Sequence, residues 1–226
     1  MNECFSRTAL LFGESGIEKL QKARVAVFGL GGVGGSAAEA LVRAGVGAVE
    51  LFDNDTVSRS NVNRQAFATL SSVGTKKTDA AKARLRDLSP SVEIVTHDLF
   101  FLPENASTVD FSRFDAVIDA IDTVTAKIEL ALRCREANVF LLSCMGTGNK
   151  LDPTRLQVGD LFHTHTCPLA RVMRYELKKR GIEKLPVVWS DEKPIETHAD
   201  VPGSVSFVPP AAGLIAAGEV VRFLLK

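Results

Sequence analysis

Several residues of this sequence have types and spacings suited to phosphate chemistry. Gly29, Gly31, Gly32 and Gly34 fall in a G-x-G-G-x-G run directly after the apolar stretch Arg24–Phe28. Glycines at a strand-to-helix turn bare the backbone amides and the helix N-terminus, which together cradle a phosphate without side-chain interference. Asp53 follows nineteen residues after Gly34, where the ribose-binding acid of a dinucleotide enzyme also sits. On these features alone an NAD-dependent oxidoreductase leads, ahead of another nucleotide enzyme and of a ligand-free tight turn.

The next segment shifts the balance toward ATP. Asp55, Asn61, Arg64 and Gln65 follow Asp53 closely, and Lys77 comes thirteen residues after Arg64. Arg64 alone reads as a surface ion pair, and Lys77 as one cation of a solvated basic helix that could instead touch RNA. Together they suit a triphosphate, because adenylyl or phosphoryl transfer needs cations to offset charge on the leaving group and hydride transfer does not. Further on, D-A-I-D ends with Asp122, a carboxylate placed to hold Mg²⁺ between phosphates.

These residues need a scaffold that brings them to one edge. Short apolar runs at Arg24–Phe28, 49–52, 92–96, Ala116–Asp119 and 139–143 alternate with helical patterns at Gly32–Ala44, 76–88 and 124–137. That alternation predicts an α/β fold with a Rossmann-like, mostly parallel sheet, helices on both faces, and a C-terminal mixed or antiparallel extension. An amphipathic stretch at 14–22 precedes the first strand. Beyond residue 150 the pattern predicts a helix over 168–180, strands at 187–190 and 204–208, a mobile loop at 191–203, and a closing helix from Pro209 to Leu225. The expected organisation is one domain over 1–226, with a nucleotide-binding core at 1–150 and an extension at 151–226 that completes the substrate side.

Composition narrows the function classes. Lys plus Arg and Asp plus Glu each number 27, so the formal net charge is zero and a strongly electrostatic nucleic-acid or membrane binder is disfavoured. The start lacks a signal-peptide core, and no run is long enough to span a bilayer, which places the protein in the cytoplasm with no membrane partner. Cys4, Cys134, Cys144 and Cys167 form no C-x-x-C pair, so no structural zinc is expected. Cys134 reads as core-facing and Cys144 as the end of a strand near the pocket. Cys167, at a helix start, reads first as a packing residue and second as a nucleophile. His163 and His165 lack a third ligand at metal-site spacing. Arg171, Arg174, Lys178, Lys179 and Arg180 make the 168–180 helix strongly cationic, either as a solvated face or as a hold for an RNA backbone.

The motifs G-x-G-G-x-G, D-x-D-T-V-x-x-S-N-x-N-R-Q, a lysine after V-G-x-K, and D-A-I-D resemble those of the ubiquitin-activating E1-like superfamily, which includes the adenylating enzymes of molybdopterin and thiamin biosynthesis. R-T-A-L-L-F-G, M-G-T-G-N-K-L-D-P-T-R, C-P-L-A-R-V-M-R and P-G-S-V-S-F-V-P extend the resemblance to its tRNA threonylcarbamoyladenosine dehydratase branch over nearly the whole chain. The resemblance implies ATP and Mg²⁺ as cofactors and an ATP-dependent cyclisation of threonylcarbamoyladenosine in a tRNA anticodon loop. It implies the phosphate loop at Gly29–34, the ribose ligand at Asp53, triphosphate contacts at Arg64 and Lys77, and the metal-linked acid at Asp122. Asn61 and Gln65 shape the same pocket, with Asp55 beside them. It further implies a homodimer in which Arg7 reaches the partner's ATP, and sulfur-transfer proteins as partners. The alternative within the superfamily is adenylation of a sulfur-carrier or ubiquitin-like protein C-terminus. The sequence departs from the wider superfamily in lacking the paired C-x-x-C zinc sites and in carrying Thr123 where asparagine is usual.

Overall fold

The computed structural model describes residues 3–226. A seven-stranded sheet runs in the order β3-β2-β1-β4-β5-β7-β6. Its strands are β1 (Arg24–Phe28), β2 (Ala48–Phe52), β3 (Glu93–His97), β4 (Ala116–Asp119), β5 (Phe140–Cys144), β6 (Leu156–Asp160) and β7 (Pro186–Ser190). The helices are α1 (Ser6–Lys22), α2 (Gly32–Ala44), α3 (Lys77–Leu88), α4 (Val124–Glu136), α5 (Pro168–Lys179) and α6 (Val208–Leu224). All pairings are parallel except β6 with β7, so β6 is the antiparallel edge strand of the C-terminal extension.

The central strands are apolar on both faces, as a sheet covered by helices on both sides requires. Val25 and Val27 of β1 face one core with α2, α3 and α6, whereas Ala26 and Phe28 face a second core with α4 and α5. The second core contains an aromatic cluster in which Phe28 stacks on Phe52 at 4.1 Å between ring centroids. Helices α2 and α6 approach closely at Gly213, where a Cβ would come within 2.2 Å of the Val33 carbonyl oxygen.

Two segments differ from the sequence reading. Helix α1 begins at Ser6 rather than at 14, and Gly13 interrupts it with φ 73° and ψ 167°. Residues 204–208 form no strand. Pro209 and Pro210 instead fall in the first turn of α6, where their fixed φ favours helix initiation and their missing N–H groups are not needed. The preceding loop is tied to Asn149. The Asn149 side-chain oxygen accepts from the Gly203 amide at 2.6 Å, its carbonyl from the Ile195 amide at 2.8 Å, and its own amide donates to the Gly203 carbonyl at 2.8 Å. These bonds bring Pro202–Ser204 over the carboxyl ends of the strands.

Candidate functional site

A cavity of about 610 Å³ opens at the carboxyl ends of β1, β2, β4 and β5. Ligands of open α/β sheets bind at such an edge, and the size suits a small-molecule site. Gly29, Gly31, Gly32, Asp53, Asp55, Asn61, Arg64, Gln65, Lys77 and Asp122 all line it. Gly34 lies beneath the loop and Arg7 is exposed on α1, so neither is part of the wall.

The glycine loop is shaped by contacts that admit no side chain. Gly29 adopts φ +88°, and a Cβ there would lie 2.7 Å from the Ala120 carbonyl oxygen. A Cβ on Gly34 would lie 1.8 Å from the Gly29 carbonyl oxygen. Gly31 is the N-cap of α2 and supplies no side-chain cap, so the first-turn amides keep their donor capacity for a ligand. The loop is fixed from below by Asp53, whose carboxylate accepts the Leu30 amide at 2.6 Å and the Asp55 amide at 2.9 Å.

Arg64 and Gln65 are positioned by a short 3-10 turn, Arg59–Asn61, whose Asn61 side chain accepts the Ser58 amide at 3.1 Å. The Asn61 carbonyl then accepts the amides of Arg64 and Gln65 at 3.1 and 3.0 Å. The Arg64 guanidinium donates to the Ser60 carbonyl at 3.0 Å and to the Asn63 side chain at 2.9 Å. Among the described residues it pairs with no carboxylate. Lys77, read from sequence as one of a row of solvated cations, points inward: it is 7% exposed, and its ammonium lies 2.6 Å from an Asp55 oxygen and 3.8 Å from one of Asp53. Asp55 is largely exposed, so this lysine can exchange it for a phosphate at little cost. Asp122 is exposed on the turn after β4.

Sequence reasoning missed the support beneath that turn. Lys127, fully buried on α4, lies 2.9 Å from the equally buried Asp119 and donates to the carbonyls of Ile121 at 3.1 Å and Cys144 at 2.8 Å. Ser143 adds a 2.6 Å bond to the same Asp119 oxygen. One ammonium thus joins the ends of β4 and β5 on the floor of the cavity. The available signal was a lysine on the apolar side of α4, beside Ile128, Leu130, Ala131 and Cys134. Sequence reading also missed the backbone of Met145–Gly148 and Pro202–Ser204 as wall segments.

Burial pushes the Cys144 thiol up to about 12 and also raises that of Cys134. Cys167 is 2% exposed at the N-cap of α5. His165 packs edge-on against Trp189, and among the described residues no group of three or more His, Cys, Asp or Glu side chains is arranged to hold a metal. The donors present suit a cation bound chiefly through phosphate oxygens with a single carboxylate, and Asp122 is available for that purpose.

The sequence profile of the ThiF family matches residues 5–226. The curated tRNA threonylcarbamoyladenosine dehydratase of Bacillus subtilis is 45% identical, over 98% of this chain and 94% of that protein. The crystal structure of E. coli tRNA N6-threonylcarbamoyladenosine dehydratase in complex with AMP is 34% identical, covers 98% of this chain and 94% of its own, and superposes with a TM-score of 0.93. The ATP complex of the same enzyme gives 0.91 at 33% identity.

Proposed function

Because this chain belongs to the ThiF family, we propose that it is an ATP-dependent tRNA threonylcarbamoyladenosine dehydratase. The observation that carries this reading is the convergence of the glycine loop, Arg64, Lys77 and Asp122, from four separate chain segments, on one cavity in a chain that matches the AMP-bound dehydratase along nearly its full length.

The amides of Gly31, Gly32 and the first turn of α2 hold the phosphates, Asp53 takes the ribose, and Asn61 and Gln65 close the pocket beside it. Lys77 leaves Asp55, and Arg64 turns from its local acceptors, to meet the triphosphate. Asp122 holds Mg²⁺, which when bound neutralises phosphate charge. The threonyl carboxylate of the modified base displaces pyrophosphate from the α-phosphorus, forming a mixed anhydride with AMP. The ureido group of the same base then attacks the activated carbonyl, the ring closes, a proton is lost and AMP leaves. Net, one water is removed as ATP becomes AMP and pyrophosphate. Arg64 and Lys77 offset the charge that builds on the departing pyrophosphate, so the protein contributes position and electrostatics rather than a covalent nucleophile.

The working unit in this reading is a cytoplasmic homodimer. Leu10 and Leu11 of α1 are 85% and 84% exposed, an apolar pair that a second copy would cover, and Arg7 on the same helix would reach the partner's nucleotide. Size-exclusion chromatography giving a monomer at micromolar concentration would refute the dimer.

The activity is tested by nucleoside analysis of tRNA from a strain lacking this protein. The reading predicts loss of the cyclised base and accumulation of threonylcarbamoyladenosine; normal levels of the cyclised base contradict it. Adenylation of a carrier-protein C-terminus would instead show as pyrophosphate exchange driven by a Gly-Gly-ended protein and not by modified tRNA.

A further inference from the structure

Helix α5 carries a stripe that the nucleotide site does not use. Arg171, Arg174, Tyr175 and Lys178 recur at helical spacing and share one face, while Ala170, Met173 and Leu177 turn into the core. Arg171 and Lys178 are exposed, and Tyr175 is 61% exposed. Lys179 and Arg180 both pair with Glu176, which lies off the stripe, and Lys179 also sits 3.9 Å from the Tyr175 ring centroid. Among the described residues no carboxylate lies within ion-pair distance of Arg171, Arg174 or Lys178. Arg174 donates instead to the buried Thr164 hydroxyl, which fixes it at the N-terminal end of the helix.

The other basic helix offers a control. On α3 and at its N-cap, Lys76 pairs with Asp98, Lys77 with Asp55 and Arg84 with Glu39, which among the described residues leaves Lys82 and Arg86 as its cations without an ion pair. Helix α3 also packs on the opposite face of the sheet from α5. In a chain of zero net charge, the unneutralised α5 stripe is a local feature rather than part of a general surplus.

Position links the stripe to the active cavity. Leu169, in the first turn of α5, lines the nucleotide cavity, and a second cleft of about 230 Å³ lined by Thr166, Cys167, Pro168, Arg171 and Arg174 opens at the same helix end. Arg171 and Lys178 lie seven residues apart, so the charges run about 10 Å along the helix away from that rim. Cations spaced along a track with an exposed aromatic ring among them suit a polynucleotide, which offers phosphates to the cations and a base face to the ring.

We propose that the α5 stripe of Arg171, Arg174, Tyr175 and Lys178 is the surface on which the tRNA backbone docks, with nucleotides flanking the modified base laid along the helix while that base enters the cavity. This assignment rests on the dehydratase reading above.

The test measures tRNA binding, ATP binding and turnover separately in the full-length protein. The double variant Arg171→Ala/Lys178→Ala changes two exposed side chains outside the nucleotide site, and Lys82→Ala/Arg86→Ala on α3 is its counterpart. The α5 variant is expected to bind ATP like the parent and to bind modified tRNA on the order of tenfold more weakly at 0.1 M salt. Its slope of log affinity against log salt should be shallower by roughly 1.4, from two lost phosphate contacts. Tyr175→Ala should weaken tRNA binding at least about fivefold with the salt slope unchanged. The α3 variant should match the parent. Unchanged tRNA affinity and salt slope in the α5 variant, or an equal loss in the α3 variant, overturns the docking surface. So does a variant that keeps tRNA binding but loses binding to poly-glutamate, which would assign the stripe to an acidic protein. Absence of AMP release by the parent with modified tRNA contradicts the dehydratase reading, whereas the binding measurements judge the docking surface whatever the turnover.

Discussion

Glu50, in the middle of β2, and Asp119, at the end of β4, are both sealed in the sheet, at 1% and 0% exposure, and both face cations. Glu50 meets Arg24 at 3.0 Å, Arg113 at 2.9 Å and His97 at 2.9 Å, three partners that are themselves partly exposed. None of the four lines the cavity. Asp119 meets Lys127 and Ser143, both fully buried, and Lys127 spends its other two hydrogen bonds on carbonyls at the ends of the cavity-lining turn and strand. The contrast shows that a buried ion pair is not in itself a site. What matters is which segments the partners hold: at Glu50 they staple strands and a loop away from the cavity, and at Asp119 they set the cavity floor.

The sharpest way to break this distinction is Lys127→Met. It leaves Asp119 buried without its cation, and we expect a loss of about 3–5 kcal/mol in urea unfolding together with a raised KM for ATP. Adding Asp119→Asn should recover part of the stability and little of the nucleotide affinity. Recovery of both would reduce the pair to a purely structural role. Lys77→Met probes the opposite kind of cation, one whose partner Asp55 is 61% exposed at the side chain and easily released. It should lower kcat by about 10²–10³-fold, the range for removing one donor to developing charge, with a smaller loss of stability than Lys127→Met. Glu50→Gln should cost about 1–3 kcal/mol of stability, because its cations reach solvent, and should leave kcat/KM of the folded enzyme unchanged.

A pH-dependent effect concerns the thiols near the Asp119 cluster. Burial pushes the Cys144 thiol from its ordinary 9.0 up to about 12. The thiolate fraction at pH 8 is then on the order of 10⁻⁴, and iodoacetamide should not label Cys144 in the native protein. A raised folded pKa gives stability that is fully present below the unfolded value and is lost as pH climbs between 9.0 and about 12, when the unfolded thiol ionises first. Denaturant midpoints across that window should therefore fall less in Cys144→Ala than in the parent.

Much of the nucleotide half was legible in the sequence because its determinants are local. The continuous apolar run of β1, the glycines that no Cβ could replace, and an acid just after β2 each declare themselves within a few residues. Lys77 could be proposed as a phosphate ligand only through its spacing from Arg64, and its inward orientation depends on Asp53 and Asp55 more than twenty residues away. The Lys127–Asp119–Ser143 network was not legible, since three elements must assemble before its hydrogen bonds exist. The same holds for residues 204–208, whose alternating pattern suits a strand. Pro209 and Pro210 start a helix there instead.

The dehydratase activity is tested most directly by one incubation: purified protein with ATP, Mg²⁺ and tRNA bearing threonylcarbamoyladenosine, followed by measurement of released AMP and of the mass of the modified base. A dehydratase releases AMP in proportion to a base lighter by one water, with both products requiring ATP. An unchanged base mass, or AMP release that requires a Gly-Gly-ended carrier protein in place of tRNA, would contradict it.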